Sequence, residues 1–422
     1  SQYAKIVELV RTAQASKAPL QRLADRYATW FTPATLLVCL AAYLLSGDSL
    51  RVLAVLVVAT PCPLIIATPV AIMGGINRAA RHGIIFRHGG GLEQLGDVTA
   101  AVFDKTGTLT LGRPRVARVV ANAPWSSNEV LRVAAGVEHG SSHLLARTLV
   151  DAATARGLQT PDGNDITEAP GQGVWGRVES RAVTVGGWSF VVGRSPGAGA
   201  GFERMLETSA AAALRAFVTV DGEAAGIVEY ADEIRPGMRP FIARLRALGV
   251  SRILLLSGDS EANTAAVGRA VGIDEVYGDL LPEAKVAFVH RLMEEKERVV
   301  MLGDGTNDAP ALSSATVGIA LAGGGGITAE AADAVILADD PVRLETSIHI
   351  SRRTLRIARQ SIGVGLGLSG AAMIVASFGY LQPIAGALLQ EGIDVAVILN
   401  ALRATFPPLQ QPVGVAVEAY NG

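Results

Sequence analysis

Four long stretches with few or no charges constrain the fold of this chain more than any other feature. They cover residues 30–46, 52–76, 361–381 and 382–402, and the last is apolar except for Glu391 and Asp394. A helix that crosses a bilayer needs about 20 apolar residues. The sequence therefore predicts four membrane helices in two pairs with a soluble segment between them. Buried core helices of a soluble protein are the alternative.

Positive charges indicate the orientation of these helices. Arginines lie on the soluble side of the apolar stretches, at Arg22, Arg26, Arg78, Arg81, Arg87, Arg352, Arg353, Arg356 and Arg359. Loops on the cytoplasmic side of a membrane are enriched in such residues. We therefore expect an integral membrane protein whose soluble domains are cytoplasmic. The opening SQYAKIVELV lacks the basic and apolar regions of a signal peptide.

Charge and cysteine content exclude two other classes. The formal net charge is -2, which argues against broad electrostatic binding of nucleic acid. The two cysteines, Cys39 and Cys62, both lie in apolar stretches. No disulfide framework is therefore expected.

The soluble segment combines two patterns. Short apolar strands alternate with helical patterns around Asp104 and from about residue 229 to residue 340, and most of these strands end in glycine or aspartate. That order is typical of a parallel sheet in an α/β domain whose site lies at the strand ends. The stretch between them has alternating strands and a helix pattern, which predicts an inserted α+β domain.

The predicted fold class is a multidomain membrane protein, in which a transmembrane bundle of α-helices is joined to an α/β domain with an inserted domain. Its parts are a linker with two membrane helices (residues 1–85), the first part of the α/β domain (86–112), the inserted domain (113–228), the second part of the α/β domain (229–345), two membrane helices (346–405) and a tail (406–422).

The sequence FDKTGTLT places Asp104 where a buried strand ends. Lys105 adds a positive charge, Thr106 and Thr108 add hydroxyls, and Gly107 allows a tight turn whose amides can face an anion. Taken alone, the motif is equally consistent with an Asp-initiated turn.

Three further loops of the α/β domain favour chemistry at Asp104. Phosphoryl transfer to a carboxylate needs an in-line nucleophile, Mg²⁺, and cations or hydroxyls around the phosphoryl oxygens. Asp104 is the candidate nucleophile. The other loops contribute Ser257, Gly258, Asp259, Lys285, Asp304, Asn307 and Asp308.

In combination, DKTGT at residues 104–108, SGD at 257–259, GDGTNDAPAL at 303–312 and TPCPL at 60–64 resemble the P-type ATPases, and within them the heavy-metal-transporting subclass. The resemblance implies a phosphorylation domain of haloacid-dehalogenase type in a bacterial inner membrane protein, with Asp104 phosphorylated. It implies that Mg²⁺ is bound at Asp304 near Asp104, Thr106 and Asp308. It also implies phosphate-site roles for Lys105, Ser257, Gly258, Asp259, Lys285 and Asn307. The family usually has threonine at the position of Ser257, which keeps the hydroxyl.

The same resemblance makes the inserted domain a nucleotide-binding domain for ATP. Pumps of this subclass carry a histidine-proline pair near the adenine and a glycine-rich loop near the ribose and phosphates. His143 occupies the histidine position, Leu144 replaces the proline, and Glu138 could contact the base. The glycine-rich loop corresponds to Gly171, Gly173 and Gly176.

The membrane segments carry a candidate site for a transported metal. Prolines flank Cys62 and interrupt the helical hydrogen bonds at a depth where free carbonyls must line protein or a water-filled cavity. The last helix adds Gln390, Glu391, Asp394 and Asn400; Glu391 and Asp394 lie three residues apart and hence on one helix face. Intramembrane carboxylates are costly unless they serve a site.

The ligand types indicate a divalent metal. One thiolate with several oxygen ligands suits a borderline divalent ion better than copper(I), which favours soft sulfur. The pairing of TPC with QExxD resembles a subgroup associated with nickel and iron(II). Cobalt and zinc are the alternatives.

The chain lacks the TGE motif of the actuator domain that hydrolyses the aspartyl-phosphate in this family. We expect it to be the carboxy-terminal part of a longer pump, with the actuator domain and further helices as its missing partner, and not to complete a cycle alone. Two alternatives stay open. A phosphatase of the haloacid-dehalogenase superfamily generally has an aspartate at the position of Thr106. A non-catalytic metal-binding membrane protein would not need both DKTGT and GDGTND.

Overall fold

The computed structural model describes residues 23–59, 62–139, 141, 143–169, 171–207, 214–304, 308–322 and 330–407, without the side chains of residues 23–29 and 62–64. Asn307 and the Cys62 side chain, both expected site groups, therefore lie outside the described residues. In chain order the helices are α1 (Leu23–Ser46), α2 (Ser49–Val58), α3 (Cys62–Arg81), α4 (Gly89–Gly96), α5 (Ser127–Glu138), α6 (Leu144–Ala155), α7 (Trp188–Arg194), α8 (Gly199–Leu206), α9 (Met238–Ala247), α10 (Glu261–Val271), α11 (Pro282–Glu294), α12 (Ala309–Ser314), α13 (Arg343–Ser377) and α14 (Pro383–Leu402). The strands are β1 (Ile84–Phe86), β2 (Ala100–Asp104), β3 (Thr110–Ala121), β4 (Gly163–Ala169), β5 (Gly173–Val178), β6 (Arg181–Gly186), β7 (Leu214–Val220), β8 (Glu223–Ile234), β9 (Arg252–Leu256), β10 (Glu275–Tyr277), β11 (Val299–Gly303), β12 (Val317–Leu321) and β13 (Ala334–Ile336).

Five helices, α1, α2, α3, α13 and α14, form the predicted transmembrane bundle. Of these, α13 and α14 are long and apolar enough to cross a membrane, and Trp30–Ser46 and Ser49–Val58 are shorter apolar helices. Their outer faces carry large apolar side chains that are more than half exposed, among them Leu36, Leu44, Leu45, Ile384, Leu388 and Leu399. So much apolar surface is unfavourable in water, but it is suited to contact with lipid.

The second apolar stretch forms two helices, where the sequence pattern predicted one over residues 52–76. Helix α2 ends at Val58, Ala59 leaves the helical conformation with φ -81 and ψ 46, and α3 begins at Cys62. The physical reason is proline: it lacks the N–H that a helix needs and its ring clashes with the preceding turn. Pro63 is tolerated because it lies in the first turn of the new helix.

Helix α13 joins the bundle to the α/β domain without a break. Its first half contributes Leu344, Ile348 and Ile350 to the core of that domain, while Met373 and Ala376 pack inside the bundle. Arg352 on this helix donates hydrogen bonds to the carbonyls of Gly96, Val98 and Leu248. Because these carbonyls belong to two segments of the α/β domain, at the ends of α4 and α9, Arg352 fixes the helix to it.

The α/β domain is built on a seven-stranded sheet with the order β1-β13-β12-β11-β2-β9-β10. All pairs are parallel except β1 with β13. Alternate residues of the central strands enter two separate cores: Ala101 and Phe103 pack on one face, Ala100 and Val102 on the other. A sheet covered on both faces explains why these strands are continuous apolar runs. The carboxyl ends of β2, β9 and β11 meet at one edge.

The inserted domain is a six-stranded antiparallel sheet with the order β3-β8-β7-β6-β5-β4. Helices α5 and α6 cover it through a core that includes Leu131 and Leu149. The first strand, β3, leaves the α/β domain at Thr110, and the long strand β8 returns to it at Ile234. The expected boundaries at residues 113 and 228 fall inside these paired strands, so the two domains share a continuous ribbon.

We predict that Gly318→Ala destabilises the α/β domain. The methyl group would lie 2.3 Å from the carbonyl oxygen of Leu312, which belongs to the backbone of α12 and cannot swing away. Overpacking of this kind costs about 2–3 kcal/mol. Chemical or thermal unfolding of the purified chain measures the loss.

Gly199→Ala is the matched control. Its added methyl group would meet only Val192 at 3.8 Å, and alanine favours helix α8. Equal stability of the two variants would show that the carbonyl of Leu312 on α12 does not lie as close to Gly318 on β12 as described.

Candidate active site

The loop after β2 turns tightly around Gly107. Asp104 ends the strand, and residues Lys105–Leu109 form a tight turn in which Gly107 has φ 70. A methyl group on Gly107 would lie 1.7 Å from a carboxylate oxygen of Asp304. Glycine is therefore required twice, by the left-handed backbone and by the close approach of that carboxylate.

Three carboxylates converge beside this turn. One oxygen each from Asp104, Asp304 and Asp308 lies within 4.8 Å of the others. Strands β2 and β11 cause this, because they are parallel neighbours with Phe103 opposite Leu302. The residues that follow each strand therefore emerge at the same edge of the sheet.

Lys285 holds two of the carboxylates together. Its Nζ donates to Asp104 Oδ1 at 2.5 Å and to Asp308 Oδ1 at 2.7 Å, and all three side chains are buried. The lysine lies in the first turn of α11, which begins at Pro282. This pairing is the central electrostatic contact of the site.

The site disfavours the ionised forms of Asp104 and Asp304. Burial, followed by the charge of Asp308, raises the pKa of Asp104 to about 7, although Lys285 works against the rise. Burial and then Asp308 raise the pKa of Asp304 to about 6. Burial opposes the charge of Lys285, but Asp104 and Asp308 together raise its pKa above the ordinary value.

This donor set fits Mg²⁺. The ion prefers hard oxygen ligands, often one or two carboxylates completed by water and substrate phosphates. The clustered carboxylates also repel one another, and a divalent cation would relieve that repulsion. Asp104, Asp304 and Asp308 are therefore the residues that would hold it.

The other expected residues line a cavity of about 420 Å³ above Asp104. Thr106, Ser257, Gly258, Asp259 and Lys285 are among its walls. The buried Ser257 hydroxyl accepts a hydrogen bond from the Asp259 amide at 3.1 Å, so its oxygen is fixed at the end of β9.

Lys105 points to neighbouring carboxylates. Its buried Nζ lies 2.5 Å from Asp259 and 3.8 Å from Asp232. The sequence reading did not single out Asp232, which also accepts from the Thr110 hydroxyl at 2.5 Å. The only sequence signal that could have identified Asp232 is the extended strand β8, which returns to the α/β domain beside β3.

Arg235 was also missed. This buried side chain donates to the carbonyl of Gly107 at 2.7 Å, to that of Thr110 at 3.1 Å and to Asp339 Oδ1 at 2.5 Å. It therefore positions the DKTGT turn without lining the cavity. No local sequence pattern connects residue 235 to residue 107, because the contact depends on β8 returning beside β3.

A second cavity, of about 220 Å³, lies in the inserted domain. Glu138, His143, Gly171 and Gly173 line it, as expected for a nucleotide site. Ser141, Glu168, Gln172, Arg215 and Tyr230, which the sequence reading did not identify, line it too.

Gly176 is not among the residues that line this cavity. A methyl group there would lie 3.0 Å from the carbonyl of Asn164 and 3.1 Å from Ile166 on strand β4. This glycine therefore packs closely between neighbouring strands, and its expected nucleotide contact stays a prediction.

His143 is oriented without the proline that Leu144 replaces. It is the N-cap of α6, and its Nδ1 accepts from the Leu145 amide at 3.2 Å. In this arrangement Nε2 carries the proton and can donate. The helix cap thus fixes the ring.

Burial perturbs two acidic groups of this cavity, Glu138 and Tyr230. Burial, then the charge of Glu168, raises the pKa of Glu138 to about 7. Burial and then Glu138 raise the pKa of Tyr230. Two carboxylates, Glu138 and Glu168, therefore line this cavity, and the charge of Glu168 disfavours the ionised form of Glu138.

In the bundle, α14 carries several hydrogen-bonded polar side chains. The buried Gln390 donates to Asp394 Oδ1 at 3.0 Å, and its Oε1 accepts from Ser369 at 3.0 Å. Glu391, expected to share a face with Asp394, is exposed, whereas Asp394 is half-buried. Asn400 donates to Ser361 at 2.7 Å.

The comparisons with known proteins agree with this geometry. Residues 98–316 match the family of haloacid dehalogenase-like hydrolases, and the chain belongs to that class. A crystal structure of a zinc-transporting PIB-type ATPase in the E2.Pi state is 35% identical, with a TM-score of 0.84 over 95% of this chain and 67% of that one. Within its class the chain is thus a P-type ATPase of the heavy-metal (PIB) type.

Curated relatives name different metals. A probable copper-exporting P-type ATPase V of Mycobacterium tuberculosis is 38% identical over 95% of this chain and 53% of its own length. A manganese-exporting P-type ATPase of the same organism is 34% identical over 94% of this chain and 56% of its own length. The chain therefore spans about half the length of the curated relatives it matches.

We predict that Lys285→Met destabilises the chain in a pH-dependent way. The folded pKa of Asp104 lies above its ordinary value of 3.8, so the stability that its bound proton contributes is lost as the pH rises through about 7. Without the lysine, the ionised cluster loses its buried cation, at a cost of about 3 kcal/mol. We expect most of that loss at pH 8 and little at pH 5 in unfolding measurements without Mg²⁺.

The control is Lys296→Met, an exposed lysine away from the site. A loss from Lys285→Met that is the same at both pH values would contradict the described charge pairing.

We predict that Glu138→Gln stabilises the chain above neutral pH. The folded pKa of Glu138 is raised, so wild-type stability falls as the pH increases from about 4.5 to about 7. The amide carries no charge to bury, and the variant should gain about 2 kcal/mol at pH 8 and none at pH 4.

Glu168→Gln should have a smaller effect in the same direction, because it removes only the repulsion. Unfolding curves at both pH values test the pair, and a Glu138→Gln variant no more stable than wild type at pH 8 would contradict the burial of this charge.

Proposed function

We propose that this chain carries the catalytic and metal-binding parts of an ATP-driven exporter of a divalent transition metal, and that it forms an aspartyl-phosphate at Asp104. The observation that carries the proposal is the Lys285 contact to Asp104 Oδ1 at 2.5 Å within a cluster of three carboxylates. This arrangement leaves Asp104 Oδ2 as the nucleophile.

The chemistry follows from these positions. Asp104 Oδ2 attacks the γ-phosphorus of ATP in line, the bond from that phosphorus to the bridging oxygen breaks, and ADP leaves with that oxygen. Lys285 and Lys105 place positive charge around the transferred group. The chemistry that Mg²⁺ supplies at such a site is neutralisation of phosphoryl charge.

Thr106 supports a lasting aspartyl-phosphate. Phosphatases of this superfamily generally have a carboxylate at that position, which can activate water. Threonine cannot take up a proton in this way, so local hydrolysis is disfavoured. The same feature weighs against the phosphatase alternative.

ATP is proposed to bind in the cavity of the inserted domain. His143 can donate from Nε2, Glu138 can accept from the base, and Gly171, with φ 73, opens the backbone beside them. The ribbon of β3 and β8 connects this cavity to the DKTGT turn, so nucleotide and nucleophile lie on linked elements.

The proposed cargo is a divalent transition metal, with Ni²⁺ and Fe²⁺ the first to test and Co²⁺ and Zn²⁺ next. Cys62, Gln390, Glu391 and Asp394 are the proposed ligands, and the Gln390 to Asp394 contact at 3.0 Å supports an oxygen-rich site. Oxygen donors favour such ions over copper(I). The continuous helix α13 connects the bundle to the phosphorylation site.

The proposed location is a bacterial inner membrane with the α/β and inserted domains in the cytoplasm. The support is the bias of arginine to the soluble ends of the apolar helices.

We expect membranes that contain the protein to incorporate phosphate from γ-labelled ATP into an acid-stable, hydroxylamine-sensitive form that requires Asp104 and one divalent metal. Labelling would be measured with Ni²⁺, Fe²⁺, Co²⁺, Zn²⁺, Mn²⁺ and copper(I) in turn. Asp104→Asn should abolish it, because an amide is a poor nucleophile.

Cys62→Ala should abolish the labelling that the divalent metal stimulates. Cys39→Ala is the matched control, because it replaces a buried cysteine elsewhere in the bundle. Labelling that persists in Asp104→Asn would refute the nucleophile. Labelling that is the same with and without every metal would be consistent with phosphorylation of Asp104 but would refute the proposed transport of a divalent metal.

A further inference from the structure

Three arginines meet at the end of the bundle nearest the α/β domain. Arg78 lies on α3, Arg353 on α13, and Arg403 is the residue that caps α14. Arg78 Nη1 donates to the carbonyl of Phe406 at 2.9 Å, and Arg353 Nη1 donates to the same oxygen at 2.7 Å. We call Arg78, Arg353 and Arg403 the arginine cluster.

Arg403 completes the cluster from the third helix. Its Nη1 donates to Asn400 Oδ1 at 2.8 Å, and Arg353 lies within electrostatic range of both Arg78 and Arg403. The turn that carries Phe406 is pressed onto α3, where Thr405 lies beside Gly74. The Phe406 carbonyl therefore holds the guanidinium groups of Arg78 and Arg353, and the Asn400 side chain holds that of Arg403.

The cluster has no described counterion. Within residues 23–304, 308–322 and 330–407, as far as the structure describes them, no carboxylate lies within 4.0 Å of any of the three guanidinium groups. Arg359, on the same helix, shows the contrast because it lies 3.3 Å from Asp97. Like charges repel at this range, so an anion that bridges them would be bound favourably.

The donor inventory indicates a phosphate. Each guanidinium has five N–H donors, and the bonds described above use one per arginine, all to neutral oxygens. The planar fork of arginine matches the oxygens of phosphate in pairs.

The surroundings indicate that the phosphate carries an apolar tail. Phe406 is 61% exposed and Leu402 is 40% exposed, and both lie beside the cluster in the chain. Leu402 ends the apolar helix α14, so these side chains lie at the border of the bundle. A free phosphate would gain nothing from them, whereas an acyl chain would cover them.

We propose that the arginine cluster binds the phosphate of an anionic phospholipid headgroup, with the acyl chains along Leu402 and Phe406. One headgroup would thereby bridge α3, α13 and α14. This site is distinct from the phosphorylation, nucleotide and metal sites, and it does not depend on the proposed pumping activity.

The test uses the purified full chain, delipidated in detergent, with phosphatidylglycerol or phosphatidylcholine added and bound lipid counted by native mass spectrometry. We expect phosphatidylglycerol to be retained in preference to phosphatidylcholine. Arg78→Gln combined with Arg353→Gln should weaken its binding roughly 20-fold, from the attraction of about two surface arginines to an anionic headgroup.

The matched control is Arg81→Gln combined with Arg356→Gln. These exposed arginines lie on the same two helices and remove the same charge, but they do not contact Phe406. We expect less than a twofold effect. An equal loss in both double variants would overturn the proposal, because diffuse surface charge would then explain the binding.

Two further measurements test whether binding needs the planar fork of arginine and whether the ligand is a lipid and not free phosphate. Arg78→Lys with Arg353→Lys preserves charge and folding but loses the fork, so it should weaken binding about fivefold, between wild type and the glutamine pair. Inorganic phosphate at millimolar concentration should not displace phosphatidylglycerol. Displacement by phosphate, or retention of phosphatidylcholine equal to that of phosphatidylglycerol, would refute a lipid site.

Discussion

The buried contact of Lys285 with Asp104 and Asp308 is the interaction on which the rest of the structure depends. Three carboxylates with oxygens within 4.8 Å of one another could not stay ionised in a buried site without a cation, and burial together with the charge of Asp308 raises the pKa of Asp104 to about 7 even with Lys285 in place. Lysine offsets part of that cost and leaves room for a divalent ion. The site therefore favours binding of a negatively charged phosphoryl group only together with a cation.

The fold serves this constraint by bringing distant segments to one sheet edge. Parallel pairing of β2 with β9 and β11 places Asp104, Ser257 and Asp304 side by side. Arg235 then fixes the DKTGT turn from the return strand, and Arg352 fixes the membrane helix α13 to the same domain. A phosphoryl group at Asp104 would thus be mechanically connected to both the inserted domain and the bundle. These connections run through main-chain carbonyls, which hold their positions better than side chains.

The bundle shows the same use of fixed charge at its border. The arginine cluster gathers three positive charges from three helices, and two of the three arginines share the carbonyl of Phe406. In the middle turns of α14, Gln390 and Asp394 provide oxygens in an apolar setting. The relatives that name copper, manganese and zinc share the overall architecture, so the metal depends on a few side chains rather than on the fold.

Sequence alone determined the apolar helices, the strand ends that carry Asp104 and Asp304, and the inserted domain, because hydrophobic periodicity and turn residues are local properties. It predicted the motif residues that line both cavities, but neither their chain neighbours Ser141 and Gln172 nor Arg215 and Tyr230, which come from strands remote in the chain. Tertiary structure decided the rest. It packed Gly176 against strand β4, left Glu391 exposed, and brought Asp232 and Arg235 to the site through the pairing of β3 with β8. Such contacts join residues more than a hundred positions apart, and only the completed fold brings them within hydrogen-bonding distance.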